Sequence, residues 1–189
     1  DDLGIPCITR RLDVQALARS SGLGTEGAAR ELRYEFLVDV ANEHQASVVL
    51  TAHTMDDNAE TMLMNLARAS GTQGLSGIPP ERALRQGIRL LRPFLHISRA
   101  QIRDVALSDG YIWREDSSNS DQHFLRNKVR AVIMPALREV FGPAVTERIL
   151  RSSELVRDAD AVVRSVVNEI LPAVMISDET SAPSFSISV

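Results

Sequence analysis

Residues 46–52 read ASVVLTA, a short apolar run rich in Val with polar sequence on either side. Such a run predicts a strand buried on both faces, because a strand covered by helices has no polar face to show. Its neighbours narrow the fold further. Upstream, Ala28, Ala29, Leu32, Phe36, Leu37, Val40 and Ala41 recur at spacings of three and four. That is a helix, with Thr25 suited to its N-cap and Glu26 in its first turn. Downstream, residues 53–71 read as a second helix. Asp57 and Glu60 have capping-box spacing, Met62, Leu63, Leu66 and Ala67 share a face, and Gly71 can end it. With a further strand-like stretch at 3–8, strands and helices alternate, which predicts a parallel sheet with right-handed crossovers.

The rest of the chain continues the pattern. Residues 13–24 read as a short helix or loop, and residues 72–87 as a Gly- and Pro-containing loop. Residues 88–95 are a strand closed by Pro93. Ser98 caps a helix through residue 108, with Gly110 as its C′ residue. Residues 110–121 are a short strand running into a polar loop. From His123 the pattern is helical, and Pro135 kinks or restarts it. A long helix then runs from Pro143 to Leu171, with an apolar stripe from Val145 through Leu155 to Ile170. The fold class is therefore α/β: a Rossmann-like parallel sheet with helices on both faces, then a smaller all-helical domain. The division falls at residues 1–138 and 139–189.

Composition sets the outer bounds. An apolar fraction of 44% with 24% charged residues supports a sizeable core and excludes intrinsic disorder for most of the chain. No apolar run reaches the roughly 18 residues of a bilayer span, so no membrane partner is expected. Cys7 is the one cysteine, which excludes an internal disulfide framework and a zinc site of several thiolates. It reads as a buried, inert thiol, and the expected setting is the cytoplasm.

The net charge of −4 argues against a nonspecific nucleic-acid binder, but the distribution is uneven. Residues 1–60 carry 5 Arg against 11 acidic residues, whereas residues 61–140 carry 11 Arg and 1 Lys against 7. A cationic band thus follows an acidic flank.

Three clusters could carry chemistry. The first is Thr51-Ala52-His53-Thr54-Met55-Asp56-Asp57-Asn58-Ala59-Glu60, which follows a strand end and opens a helix. Ligands bind past the carboxyl ends of strands in open α/β sheets, and a helix N-terminus favours phosphate. Its carboxylates could hold Mg²⁺ or receive an ammonium group, while helix capping alone would also explain Asp57 and Glu60. The second is Glu115-Asp116-Ser117-Ser118-Asn119 followed by Arg126-Asn127-Lys128-Val129-Arg130. Arg126 and Arg130 share a helix face that could grip phosphates; an exposed helix with local ion pairs explains the same spacing. The third, Arg30 and Arg33, is adequately explained as a solvated face.

These blocks, in this order, resemble one family. EGAARELRYEFL, then TAHTMDDNAETMLMNLARASGTQGLSGIPP, then LLRPFL, then REDSSNSDQHFLRNKVRAVIMPAL are similar to the bacterial tRNA(Ile)-lysidine synthetases. The resemblance implies an N-type ATP pyrophosphatase fold. It also implies ATP and Mg²⁺ as cofactors, and L-lysine and the isoleucine tRNA with a CAU anticodon as partners. ATP adenylates carbon 2 of the first anticodon cytidine, and the lysine ε-amine then displaces AMP to give lysidine. By the same resemblance His53, Asp57 and Asp56 sit at the adenylation centre, with Asp57 as a Mg²⁺ ligand. Arg33, Thr51, Ala52, His53 and Arg126 meet ATP or its phosphates, and Arg126, Asn127 and Arg130 meet RNA. A homodimer stays open. The family's Ser-Gly-Gly-x-Asp-Ser loop is absent from the sequence, so the expectation is a fragment, inactive by itself. Two other readings remain: a tRNA-binding module without catalysis, and another tRNA-modifying enzyme of the same superfamily, such as a thiolase.

Overall fold

In a computed structural model, residues 4–113, 125–177 and 185–187 are described. The chain divides into two compact units, one of residues 1–51 and 80–93, the other of residues 52–79 and 94–189.

In the first unit, α1 (Val14–Ser21) starts at Asp13, whose carboxylate accepts the Ala16 amide at 2.9 Å, and stops at Gly22, in the left-handed region at φ 70°. Helix α2 (Thr25–Glu43) follows, with Gly24 rather than Thr25 at its N-cap. β1 (Val48–Leu50) pairs in parallel with β3 (Arg89–Leu91), Val48 opposite Arg89 and Leu50 opposite Leu91. β2 (Glu81–Ala83) pairs antiparallel with β3, Glu81 opposite Leu91. The sheet is thus mixed rather than wholly parallel, in the order β1-β3-β2. Val38 and Ala41 of α2 pack on Val49, Ile88 and Leu90, with Tyr34, Leu37 and Leu84 at the margin.

Four expectations change here. Residues 4–8 are exposed and form no strand, since no described strand pairs with them. Cys7 is accordingly exposed, not buried. Within β1 only Val49 is buried, and Leu50 is 63% exposed, because β1 stands at an edge of the described sheet. The stretch expected as one loop at 72–87 contains a helical turn, β2, and a 3₁₀ turn at Arg85–Gly87.

The second unit is dominated by helices: α3 (Met55–Ala67), α4 (Thr72–Leu75), α5 (Arg99–Ser108), α6 (Leu125–Lys128), α7 (Met134–Phe141) and α8 (Val145–Val174). A short hairpin, β4 (Met175–Ser177) with β5 (Phe185–Ile187), follows. Ser98 caps α5 in a box with Gln101, and Gly110 has φ 74°, both as the sequence indicates. Between α6 and α7 lies a π-helical turn, Val129–Ile133, and α7 restarts with Pro135 in its first turn. Ala59, Met64, Val129 and Met134 form the core, joined by Leu63, Leu137 and Ile149.

Two faces differ from their patterns. The buried side of α3 carries Asp56, Asn58 and Glu60 beside Met55, Ala59 and Met64, while Leu66 is 60% exposed. On α8, Val145 and Leu150 are buried but Leu155, Val163, Val166, Val167 and Ile170 are exposed. Helix α3 ends at Ala67, and Gly71 instead precedes α4 as its N-cap.

The loop between α4 and β2 is fixed by side chains of the second unit. The Asn58 amide accepts the Ile78 N–H at 2.6 Å and donates to Ser153 Oγ at 3.1 Å. Arg157 donates to the Ser76 and Ile78 carbonyls, at 2.6 and 3.1 Å. A buried amide with both ends satisfied holds a backbone segment without a desolvation penalty.

Candidate functional site

Helix α3 starts one short connection after β1, and its first turns set the site. Thr54 is the N-cap, and its partner in the capping box is Asp57, not the Asp57–Glu60 pair suggested by spacing. The Thr54 amide and hydroxyl each donate to Asp57 Oδ2 at 2.8 Å. Glu60, one turn further, is 1% exposed. It is therefore no cap, and a buried carboxylate needs compensating charge.

That charge comes from far along the chain. Arg130 donates from Nε to Glu60 Oε1 at 2.8 Å and from Nη2 to Oε2 at 3.1 Å. Arg126 reaches Glu60 Oε2 at 2.9 Å and Asp57 Oδ1 at 3.3 Å. Arg99, the first residue of α5, reaches Asp57 Oδ1 at 2.9 Å. Asp56 points to a second pair of donors: the Arg99 amide at 2.7 Å and Arg138 Nη2 at 2.8 Å. Asp56 thus satisfies an orphan amide at the start of α5.

Electrostatics follow from this geometry. Burial by itself would raise the Asp57 pKa, but the Thr54 donors, then Arg99 and Arg126, outweigh it and hold the carboxyl below its ordinary value. The Glu60 hydrogen bond, working against burial, raises Arg130 above the usual arginine value. Four guanidiniums meet three carboxylates, which leaves one positive charge beside α3. The arginine side chains keep between 28% and 40% of their surface exposed, so an anion can reach them.

Asp57 does not fit a Mg²⁺ ligand in this arrangement. Both its oxygens already accept hydrogen bonds, and guanidiniums 2.9–3.5 Å away would repel a dication. No group of three or more His, Cys, Asp or Glu able to hold a metal occurs among the described residues.

Of the residues singled out by sequence, Asp56, Asp57, Arg126 and Arg130 come together in this cluster. Arg126 and Arg130 do share a face, and they turn it to the α3 carboxylates, so local i,i+4 pairing does not describe them. His53 is half-buried at the approach to α3, and Asn127 is half-buried between the two arginines; both have polar or electrostatic interactions. Arg33 is exposed on α2 of the first unit, where Thr51 follows β1; Ala52 is exposed and opens the second unit. Glu115 through Asn119 lie outside the described residues. Sequence reasoning missed Arg99 and Arg138, because each meets α3 from more than 40 residues away and no local spacing marks it. Glu60 was visible among the carboxylates, but its burial was not.

Strand, crossover and carboxylate-bearing helix define a Rossmann-like α/β protein. More particularly, the chain belongs to the PP-loop domain family, which residues 1–137 match. It is 39% identical over 171 residues to the tRNA(Ile)-lysidine synthase of Geobacillus kaustophilus, covering 90% of this chain and 36% of that protein. It is 40% identical to the enzyme of that name from Deinococcus radiodurans, covering 90% and 28%. The Salinispora tropica enzyme is 44% identical over 133 residues, covering 70% and 40%. The chain thus spans well under half the length of these relatives. Among solved structures, the U34-tRNA thiolase NcsA from Methanococcus maripaludis matches 68% of this chain and 43% of its own with a TM-score of 0.51 at 17% identity, a likeness of fold. No described helix is long and apolar enough to cross a membrane.

Proposed function

We propose that this chain is the catalytic part of a tRNA-modifying ligase that makes lysidine. ATP, carried with Mg²⁺, adenylates carbon 2 of the first anticodon cytidine of the CAU isoleucine tRNA and releases pyrophosphate. The ε-amine of L-lysine then attacks that carbon, its proton passes to a base, and AMP leaves. In this reading residues 1–138 form the ATP-pyrophosphatase-like domain and residues 139–189 belong to a helical one.

The observation that carries this reading is the α3 cluster, set in a chain with relatives of that name at 39–44% identity. A reaction that expels pyrophosphate and AMP needs fixed cations where charge builds, and Arg126, Arg130 and Arg99 are fixed by Asp57 and Glu60. Arg33, Thr51, Ala52 and His53 meet ATP in this reading, and Arg126, Asn127 and Arg130 meet the tRNA. His53 and the Asp56–Asp57 pair serve the adenylation centre. Asp57 is held ionised, and so keeps Arg99 and Arg126 in place beside the reacting charge. His53 then takes the proton that the amine must shed.

The test uses the full-length protein with ATP, Mg²⁺, radiolabelled lysine and the CAU transcript, beside a transcript with uridine at the first anticodon position. Label is expected on the first transcript alone. Label on neither, with tRNA binding intact, would sink the ligase reading in favour of a binding module.

A further inference from the structure

A second group of arginines, within the first unit, is untouched by that reaction. Arg30 and Tyr34 lie one turn apart on α2, and Arg82 belongs to β2. The Arg30 and Arg82 guanidinium carbons lie 5.1 and 4.6 Å from the centre of the Tyr34 ring. Arg92, only 4% exposed, hydrogen-bonds to the same tyrosine. Three cations therefore converge on one aromatic side chain, which itself packs on the unit's core.

The charge balance of this group is unusual for a structural device. Neighbouring arginines are neutralised: Arg89 by Glu81 at 3.2 Å, Arg10 by Asp39 at 2.7 Å, and Arg85 by Glu35 at 3.8 Å. Arg30 and Arg82 are exposed, and neither has a carboxylate within 4.0 Å among the described residues. Burial lowers the Arg92 pKa, and the charges of Arg82 and Arg30 add to that effect against the pull of Tyr34. Gathering like charges costs stability, so a fold that keeps them together is poised for an anion.

The stacking also prepares them to bind. A free arginine side chain samples many rotamers, and stacking on a fixed ring removes part of that freedom beforehand. A guanidinium stacked by its flat face keeps its N–H edge for oxygen acceptors, the fork geometry that suits phosphate. Beside the cluster a cavity of about 630 Å³, lined by Tyr34, Arg82, Arg85, Glu31, Glu35 and Asp39, leaves room for a sugar or base next to such a phosphate; Glu35 and Asp39 are already paired with Arg85 and Arg10.

We propose that Arg30 and Arg82, held on Tyr34, form a docking point for a backbone phosphodiester of the substrate RNA. This rests on the reading of tRNA as substrate. It adds an anchor on the first unit to those assigned to Arg126, Asn127 and Arg130.

The test is tRNA filter binding by the full-length protein across a salt series, comparing wild type with Arg30→Ala/Arg82→Ala and with Arg19→Ala on α1 as control. The double variant should bind about tenfold more weakly. Its slope of log K against log salt should fall by about 0.8, since each phosphate neutralised accounts for about 0.7–0.9. The control should match wild type. Circular dichroism checks folding, and Arg30→Lys/Arg82→Lys, which keeps the charges but weakens stacking, should recover part of the slope. Unchanged affinity and slope in a folded double variant would overturn the docking point while leaving the ligase reading intact. A raised KM for ATP with unchanged tRNA affinity would also overturn it, as a nucleotide site. Failure of wild type to bind tRNA at all would overturn both.

Discussion

Arg130 grips Glu60 with two parallel hydrogen bonds, Nε to Oε1 at 2.8 Å and Nη2 to Oε2 at 3.1 Å. The two residues lie 70 apart in sequence, and the acid is 1% exposed. The pair ties the π-helical turn to α3, and with it the position of the remaining cations.

Removing the acid should therefore cost more than the pair itself contributes. Glu60→Ala leaves Arg126 and Arg130 without their main partner, and the expected loss is about 3 kcal/mol, in the range for breaking a buried pair. Arg130→Lys, which cannot make the two-pronged grip, should lose about 1 kcal/mol. Urea denaturation checks both. Equal losses for the two variants would contradict a buried, doubly bonded pair.

Asp57 predicts an acid-sensitive fold with a definite sign. Its folded pKa lies below the ordinary 3.8, so its contribution is fully present above that value and is lost as pH falls through the folded pKa. The stability gap between wild type and Asp57→Asn should accordingly be constant from about pH 5 to 8 and shrink below about pH 4. Thermal melts at about pH 7, 4 and 3 measure it. A gap that widened with acid would reverse the assigned direction.

Gly77 and Asn58 should behave as one unit. Gly77 has φ 69°, and a Cβ there would clash with Asn58 Oδ1. Gly77→Ala should cost well over about 1 kcal/mol, combining backbone strain with the clash. Gly110→Ala, at φ 74° with open space around it, should cost only about 1 kcal/mol. The double variant Gly77→Ala/Asn58→Ala should lose less than the sum of its parts, because removing the Asn58 side chain also removes the clash.

For the proposed reaction, His53→Ala in the full-length protein should slow lysidine formation by about 100-fold or more while tRNA affinity stays within about twofold. Single-turnover label transfer and filter binding separate the two. A matching fall in tRNA affinity would make His53 a binding residue instead.

What the sequence disclosed was local. The Ser98 cap and Gly110 follow from codes a few residues long, and they appear where the pattern puts them. Apolar periodicity was less reliable. It marked Leu66 and the Leu155–Ile170 stripe as inward, although those positions are exposed, and it hid the acid-lined buried face of α3. A polar residue is buried only when a distant partner makes it tolerable, and Arg99, Arg138 and Ser153 lie too far along the chain for any spacing rule to associate them with α3. Half of the site, the carboxylates and the Arg126–Arg130 pair, could thus be read in advance; the way those halves neutralise each other could not.

The π-helical turn at Val129–Ile133 has a bearing on how this chain tolerates change. Such a turn is an α-helix carrying one surplus residue, absorbed locally so that the helix on either side keeps nearly its own phase. Deleting one of its exposed residues, such as Ala131, would return the turn to ordinary α-helix and leave Met134 buried and Arg138 on Asp56. Val129 and Arg130 within the turn have no such freedom, because one belongs to the core and the other grips Glu60. Identity at these two positions is therefore more constrained than the length of the turn.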